Sequence, residues 1–294
     1  PPPAGPQIEH LDRHRKSHST SVKPPGDITS SLPRMIIWAG LMATVCTLGY
    51  LAPGLESFRG VSGSLGCNCA VIGSGVGVWA MVRTLRGDKH EGDFFHFLSM
   101  IPEDATVLDI GANIGIMTAW LAKHCKRGIV HAIEPIPENF ETLSRICRHY
   151  RFANVRLHQF ALGAEEGQLE MVMPEVKNVK MQGLSHVVHD SITDYNEGRR
   201  YAVPQHQLDL LPEIVDGVKA IKIDVENFEY FVFKGGENML RKFKPLIYCE
   251  LWENENREKC FQLLRDDLGY KIMVLHNGTL VQFDPKMHQN QNFF

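Results

Sequence analysis

One stretch, Val107-Leu-Asp109-Ile-Gly111-Ala-Asn113-Ile-Gly115, constrains the fold more than any other in the chain. Thr106–Ile110 is a short apolar run of the kind that makes a buried strand. Gly111 lets the chain turn sharply at the strand's end. Gly115 lets the following helix start pack close to the strand while a ligand approaches the backbone. A helical pattern then runs to about Cys125. This is not the spacing of a dinucleotide-binding turn: Asn113 takes the second glycine position and Ile116 the third, which hinders close approach of a pyrophosphate. A nicotinamide-dependent oxidoreductase is disfavoured on that ground.

Strand and helix patterns alternate onward. Ile129–Ile133 reads as a strand ending at Glu134, and Pro135 and Pro137 punctuate the turn after it. Asn139 to Arg151 is amphipathic, and Val155–Phe160 alternates like a strand. Ala220–Val225 and Leu246–Leu251 are further strands, each followed by a helical segment, the second over Glu253–Leu268. Lys271–Leu275 and Thr279–Phe283 read as a hairpin across Asn277-Gly278. The alternation predicts an α/β fold, a doubly wound, mostly parallel Rossmann-like sheet with a C-terminal antiparallel hairpin. Ligands in such sheets bind at the carboxyl ends of the strands. An acid there, such as Glu134, can accept hydrogen bonds from both ribose hydroxyls. The plainer alternative, an acid answering the dipole of the next helix, carries less weight beside the glycine turn.

The spacing D-x-G-x-x-x-G over Asp109–Gly115 resembles motif I of class I S-adenosylmethionine-dependent methyltransferases. Further stretches resemble the FkbM-type methyltransferases: AIEPIPENFETL (132–143), FALG (160–163), LDLL (208–211) and IKIDVENFEYFVFKGG (221–236), with Pro245 and Tyr248 to Glu250 fitting that family's penultimate strand. The resemblance runs from about Asp104 to Asp284. One departure is clear: the family usually carries Gly after D-x-E, and here Asn227 stands there. Asn, like Gly, tolerates a left-handed backbone.

The resemblance implies S-adenosyl-L-methionine as cofactor and a methyltransferase of the class I fold. Asp109, Gly111, Asn113, Gly115 and Glu134 would hold its methionine and ribose parts, and Phe160 and Ala161 would lie near its adenine. Asp224 is the first candidate for a general base or acceptor-orienting group, and Glu226 the second; the alternative for Asp224 is a cap on the next helix. His186 is a third catalytic candidate. With His189 it lies in a polar insertion from Met173 to Tyr201, which reads as a lid over the acceptor. Asp224, Glu226 and Glu250 could supply oxygens to Mg²⁺, but nothing in their spacing demands a metal, and none is expected. The acceptor implied is a hydroxyl on a sugar, a lipid-linked molecule or a secondary metabolite. A catalytically degenerate methyltransferase-fold scaffold at a membrane is the competing reading, motivated by Asn227 and the N-terminal region.

That region differs in texture. Residues 1–34, rich in Pro, Ser and charge, read as a disordered tail. Met35–Ala52 carries no charge and just reaches the length of a spanning helix. Residues 61–82 form a glycine-interrupted second uncharged run, a possible second span. Basic residues flank both, so two spans would put both chain ends in the cytosol, and one span would put the rest outside or in a lumen. The expected organisation is a tail over 1–34, a membrane-anchor region over 35–87 and a catalytic domain over 88–294. A net charge of −3, with 31 basic against 34 acidic residues, gives no whole-chain reason to expect nucleic acid. The 7 cysteines are scattered, and those in the catalytic domain read as small buried hydrophobes.

Overall fold

The computed structural model describes residues 92–176, 179–180, 184–189 and 196–294. The expected tail, both expected membrane spans (35–52 and 61–82) and Cys46, Cys67 and Cys69 lie outside the described residues. Among the described residues, no helix is long and apolar enough to cross a membrane.

The first elements are helix α1 (Gly92–Met100), strand β1 (Thr106–Ile110), helix α2 (Ile116–His124), strand β2 (Ile129–Ile133), helix α3 (Pro137–His149) and strand β3 (Val155–His158). Then come the short β4 (Ala161–Leu162), the long β5 (Gly167–Val176), β6 (Val179–Lys180), β7 (His186–Val187) and β8 (Gly198–His206). Helix α4 (Pro212–Val215), β9 (Val218–Ile223), α5 (Glu229–Lys234), α6 (Glu237–Phe243), β10 (Leu246–Glu250) and α7 (Glu255–Phe261) follow. The hairpin β11 (Met273–His276) and β12 (Thr279–Gln282) and the short β13 (Asn292–Phe293) complete the order.

The main sheet has the order β13-β10-β9-β1-β2-β3, and its neighbours are parallel except for the antiparallel pair β10/β13. β1 is central, so both faces of its apolar run are covered. On one face Val107, Val130, Ala132, Ala220 and Tyr248 meet Phe94 and Phe97 of α1, Leu121 of α2 and Leu143 of α3. On the other, Leu108, Ile110, Ile133, Ile221 and Ile223 meet Leu208, Val232, Phe233 and Leu240. Two covered faces explain why these strands are nearly continuous apolar runs.

The expected hairpin forms across Asn277-Gly278, both with positive φ, but it makes its own two-stranded sheet. The antiparallel strand of the main sheet is instead β13, whose Asn292 and Phe293 pair with Glu250 and Cys249. Phe294 exchanges two backbone hydrogen bonds with Met273, each 2.9 Å, and so links that edge to the hairpin. The expected lid is also revised at its flanks. Met173 and Tyr201 belong to β5 and β8, one long antiparallel ladder running from Gly167↔Gln205 to Pro174↔Gly198. With β4, β6 and β7 these strands build a second sheet. One side of it buries Met171, Met173, Val187 and Val203 in the main core, and Tyr201, Val203 and Gln205 of β8 alternate inward with exposed neighbours.

The second sheet is tied to α3 by polar contacts. Glu138, in the first turn of α3, accepts hydrogen bonds from Arg199 (2.6 Å) and from the Tyr201 hydroxyl. Helix α7 starts at Asn254, whose side chain accepts from the Asn256 and Arg257 amides; its last turns widen into π geometry over Gln262–Asp267. Cys125, Cys147, Cys249 and Cys260 are free and buried, as read from their apolar surroundings.

Leu143 is fully buried and lies under Gly115, where an added Cβ would sit 2.5 Å from its Cδ1. Leu143→Ala is expected to lower unfolding free energy by about 2–5 kcal/mol in chemical denaturation.

Candidate active site

The carboxyl ends of β1, β2 and β9 lie side by side and bring three sequence signals together. After β1 the chain passes through Gly111 (φ +74), Asn113 (φ 50) and Gly115 (φ 91) before entering α2. A Cβ at Gly111 would lie 1.9 Å from the Asp224 carbonyl oxygen, so only glycine lets the ends of β1 and β9 approach this closely. The Gly111 and Ala112 amides donate to Ile133 O at 3.1 and 3.0 Å, and the Asp224 amide donates to Ile110 O at 3.1 Å. These bonds stitch the turn to both neighbouring strands.

Glu134 is buried at the end of β2. It accepts from the Asn113 amide (2.8 Å), the Ile136 amide (2.9 Å) and the Asn139 side chain (3.5 Å). It therefore serves the start of α3, as the plainer reading held, and the glycine turn as well. Burial pushes its carboxyl up to about 7 against the pull of these donors and of Lys222.

Asp109 lies beneath the turn, fully buried. One oxygen accepts from the Thr118 hydroxyl at 2.5 Å, and the other faces Lys222 Nζ at 3.4 Å. It supports the turn from below. Lys222, on β9, also donates to Gly111 O at 2.8 Å. Burial draws its ammonium down, but Asp109, Asp224 and Glu134 outweigh burial and raise it overall. The role of Lys222 was not read from sequence. Its only signal was a lone cation in the apolar run AIKIDV.

Asp224 is half-buried at the end of β9. It does not cap the next helix, whose N-cap is Phe228 with no side-chain capping bond. The loop after it is held in a left-handed backbone at Glu226 (φ 54) and Asn227 (φ 72). Asn227 thus adopts the conformation for which the family pattern carries glycine, and its side chain is used. Asn254 Nδ2 donates to Asn227 Oδ1 at 2.8 Å, and Asn256 Nδ2 donates to Asn227 O at 2.9 Å. A non-glycine residue such as Glu226 in this region stores backbone strain, a feature that clusters at functional sites. Glu229 braces the loop by accepting from the Val225 amide at 3.0 Å. Burial, with the Asp224 and Glu250 charges, pushes it up to about 8.

The remaining sequence candidates stand on other elements. His186 is buried in β7, with its ring nitrogens at 2.8 Å from Leu184 O and 3.2 Å from Asn196 Oδ1. Both positions are thus occupied in holding the second sheet. His189 instead comes over α5, its ring 4.8 Å from Phe231 and 6.0 Å from Phe228. Phe160 and Ala161 stand where the chain leaves the main sheet for the second one; Phe160 lies 5.6 Å from the His158 ring and 4.9 Å from that of His206. Among the described residues, no group of three or more His, Cys, Asp or Glu is arranged to hold a metal.

The arrangement fits a nucleoside-bearing cofactor on one count. Asn113 Oδ1, at the centre of the turn, is buried without a hydrogen-bond partner among the described residues, as a group awaiting a donor would be.

The sequence profile of the methyltransferase FkbM domain matches residues 109–277, more than half of the chain. Methyltransferase 1 of Beauveria bassiana is 25% identical over 187 residues, covering 59% of this chain and 75% of that protein. Methyltransferase sdnD of Sordaria araneosa is 22% identical over 204 residues, covering 61% and 79%. Among solved structures, the methyltransferase FkbM from Methylobacillus flagellatus aligns with a TM-score of 0.46 at 14% identity, covering 84% of this chain. This chain spans 58% of that protein's length.

Two outcomes follow from the geometry. Gly111→Ala is expected to destabilise the fold by about 2 kcal/mol or more in chemical denaturation, through strain and collision with Asp224. Gly92→Ala, with open space around it, is the neutral control. The second concerns pH. Glu134 and Glu229 ionise near 4.5 when unfolded, but near 7 and 8 in the fold. The stability they contribute is complete below 4.5 and is lost as the pH rises through those folded values. The thermal midpoint is therefore expected to be several degrees lower at pH 9 than at pH 6.5, and Glu229→Gln should flatten that fall.

Proposed function

The chain belongs to the FkbM methyltransferase family, and from that membership we propose that it transfers a methyl group from S-adenosyl-L-methionine to an acceptor hydroxyl. The acceptor is read as a sugar, lipid-linked or secondary-metabolite alcohol. The observation that carries this is the convergence of the Gly111 turn, the buried Glu134 carboxylate and the Asp224 side chain at three adjacent strand ends. The cofactor, when bound, supplies an electrophilic methyl on a sulfonium.

This chain's residues then divide the work. Gly111, Asn113 and Gly115 offer backbone to the cofactor's methionine part, with Asp109 holding their turn from beneath. Glu134 accepts hydrogen bonds from the ribose hydroxyls. Phe160 and Ala161, at the crossover after β3, flank the adenine. Asp224 orients the acceptor hydroxyl and takes its proton, and Glu226, pinned at a left-handed backbone, stands beside it as the second acid. Fixing acceptor and methyl in line supplies much of the rate by orientation alone. His186, with both ring nitrogens engaged, is assigned to holding the second sheet. The uncharged runs at 35–52 and 61–82 support a membrane-tethered enzyme over a free one. Two spans would place the catalytic domain in the cytosol.

Calorimetry with S-adenosylmethionine on the unmodified protein is the first test, and absence of binding would sink this reading. Asp224→Asn is expected to keep cofactor affinity within about threefold. It should lower transfer of labelled methyl to a panel of hydroxylated acceptors by about 100-fold or more.

A further inference from the structure

Lys222 lies inside the stretch 221–236 that carries the family resemblance, and among the described residues it is the most deeply buried lysine or arginine. Its side chain is 4% exposed and that of Asp109 0%. It stands directly opposite Asp109 in the β1/β9 register, which lets one ammonium reach Asp109 Oδ1 and the Gly111 carbonyl at once. The bond to Gly111 O fixes which way that peptide faces. The opposite side of the turn then presents the Asn113 amide to Glu134. On this geometry we propose that Lys222 is a positioning residue that orients the Gly111 turn and keeps Glu134 in its hydrogen-bond-accepting form for the cofactor ribose. The ribose clause rests on the methyltransferase reading; the turn and the charge do not.

The charged and titratable groups around it are few. From β1 comes Asp109, from the end of β2 Glu134, and from its own strand Asp224. From β10 the neighbour in register is Tyr248. From α3, Cys147 feels the Asp109 charge and is pushed up to about 12, chiefly by burial. Around Glu134, the Asn113, Ile136 and Asn139 donors and the Lys222 charge all favour the carboxylate against burial. Lys222 is the cation among them, so its removal has a definite sign. Glu134 then needs a higher pH to ionise, and a group that must accept ribose hydroxyls is neutral over more of the physiological range.

The test reads Glu134 itself before any ligand is added. Carboxyl carbon NMR of the full chain, titrated from pH 5 to 9, should place the Glu134 midpoint near 7, with Glu134→Gln assigning the resonance. In Lys222→Met that midpoint is expected to rise by about one unit. Affinity for S-adenosylhomocysteine at pH 7 should drop about tenfold, with only part of the loss recovered at pH 9, because the bond to Gly111 O is gone at every pH. Lys222→Arg keeps the charge but misplaces it relative to Gly111 O. It should leave the midpoint within about 0.3 units while still weakening binding at every pH. If the methionine variant does not fold, the arginine variant carries the test. An unchanged midpoint in Lys222→Met, or wild-type affinity in Lys222→Arg, overturns the proposal. A shifted midpoint in a protein that binds no S-adenosylhomocysteine at any pH would uphold the electrostatic role of Lys222 and refute the cofactor reading instead.

Discussion

The approach of the β1 and β9 ends is the constraint on which the rest of the site depends. Gly111 is pressed against the Asp224 carbonyl, and below that contact Asp109 and Lys222 form a buried ion pair. Parallel strands have no turn to set their register; burial and side-chain fit must set it. A slip of β9 by one residue would send Lys222 to the opposite, apolar face. A buried pair gives little net stability, but removing one partner costs about 3–5 kcal/mol. Its main effect is therefore to exclude wrong registers. The same register that buries Lys222 against Asp109 also places Asp224 beside the glycine turn.

The electrostatics of the cleft follow from that packing. Three carboxylates, on Asp109, Glu134 and Asp224, act on one ammonium. Glu229 adds a fourth carboxyl, one held up by burial and by its acidic neighbours. Such a group of carboxyls is an unfavourable arrangement for an empty protein near neutral pH. It becomes favourable when donors arrive, because hydrogen bonds to an ionised carboxylate are about twice as strong as neutral ones. A site of this kind trades stability of the free fold for affinity toward a ligand rich in hydroxyl and ammonium donors.

What could be read from the sequence follows from how local each cause is. The glycine turn, the place of Glu134 at the end of β2 and the Asn-Gly hairpin are each determined within a few residues, and each forms as read. Asn227 was legible for the same reason, since its left-handed backbone is a property of one residue and its neighbours. Lys222 was not, because a lysine in a strand reads as a solvent-facing residue until the strand is known to be covered on both faces. The second sheet was not legible because its strands are partly polar and pair with partners well removed in the sequence, so their periodicity resembles an insertion. Likewise the hairpin was legible, but its separation from the main sheet was not. That separation depends on Asn292 and Phe293 occupying the β10 edge, a contact between segments about forty residues apart. His186 and His189 show the limit most plainly: three residues apart in sequence, one is buried holding a sheet and the other lies over α5.

The two halves of the cleft differ in what makes them. The side formed by β1 and β2 is built largely from backbone, with peptide groups turned by Gly111, Asn113 and Gly115 and held by Glu134, so most substitutions elsewhere leave it unchanged. The other side is built from side chains. The Asp224–Asn227 loop is fastened by Asn254 and Asn256 from the start of α7. Beyond it Phe228 and Phe231 stack at 4.5 Å, with His189, two residues past β7, against them. In the proposed reaction the first side meets a cofactor that never varies and the second meets the acceptor. A shape made by peptide geometry suits a constant ligand, and one made by side chains from three separate elements can be altered without disturbing the strand ends. The division of labour across the cleft therefore follows from the materials of each wall, and acceptor choice is expected to reside in the loop after β9, the start of α7 and the segment carrying His189.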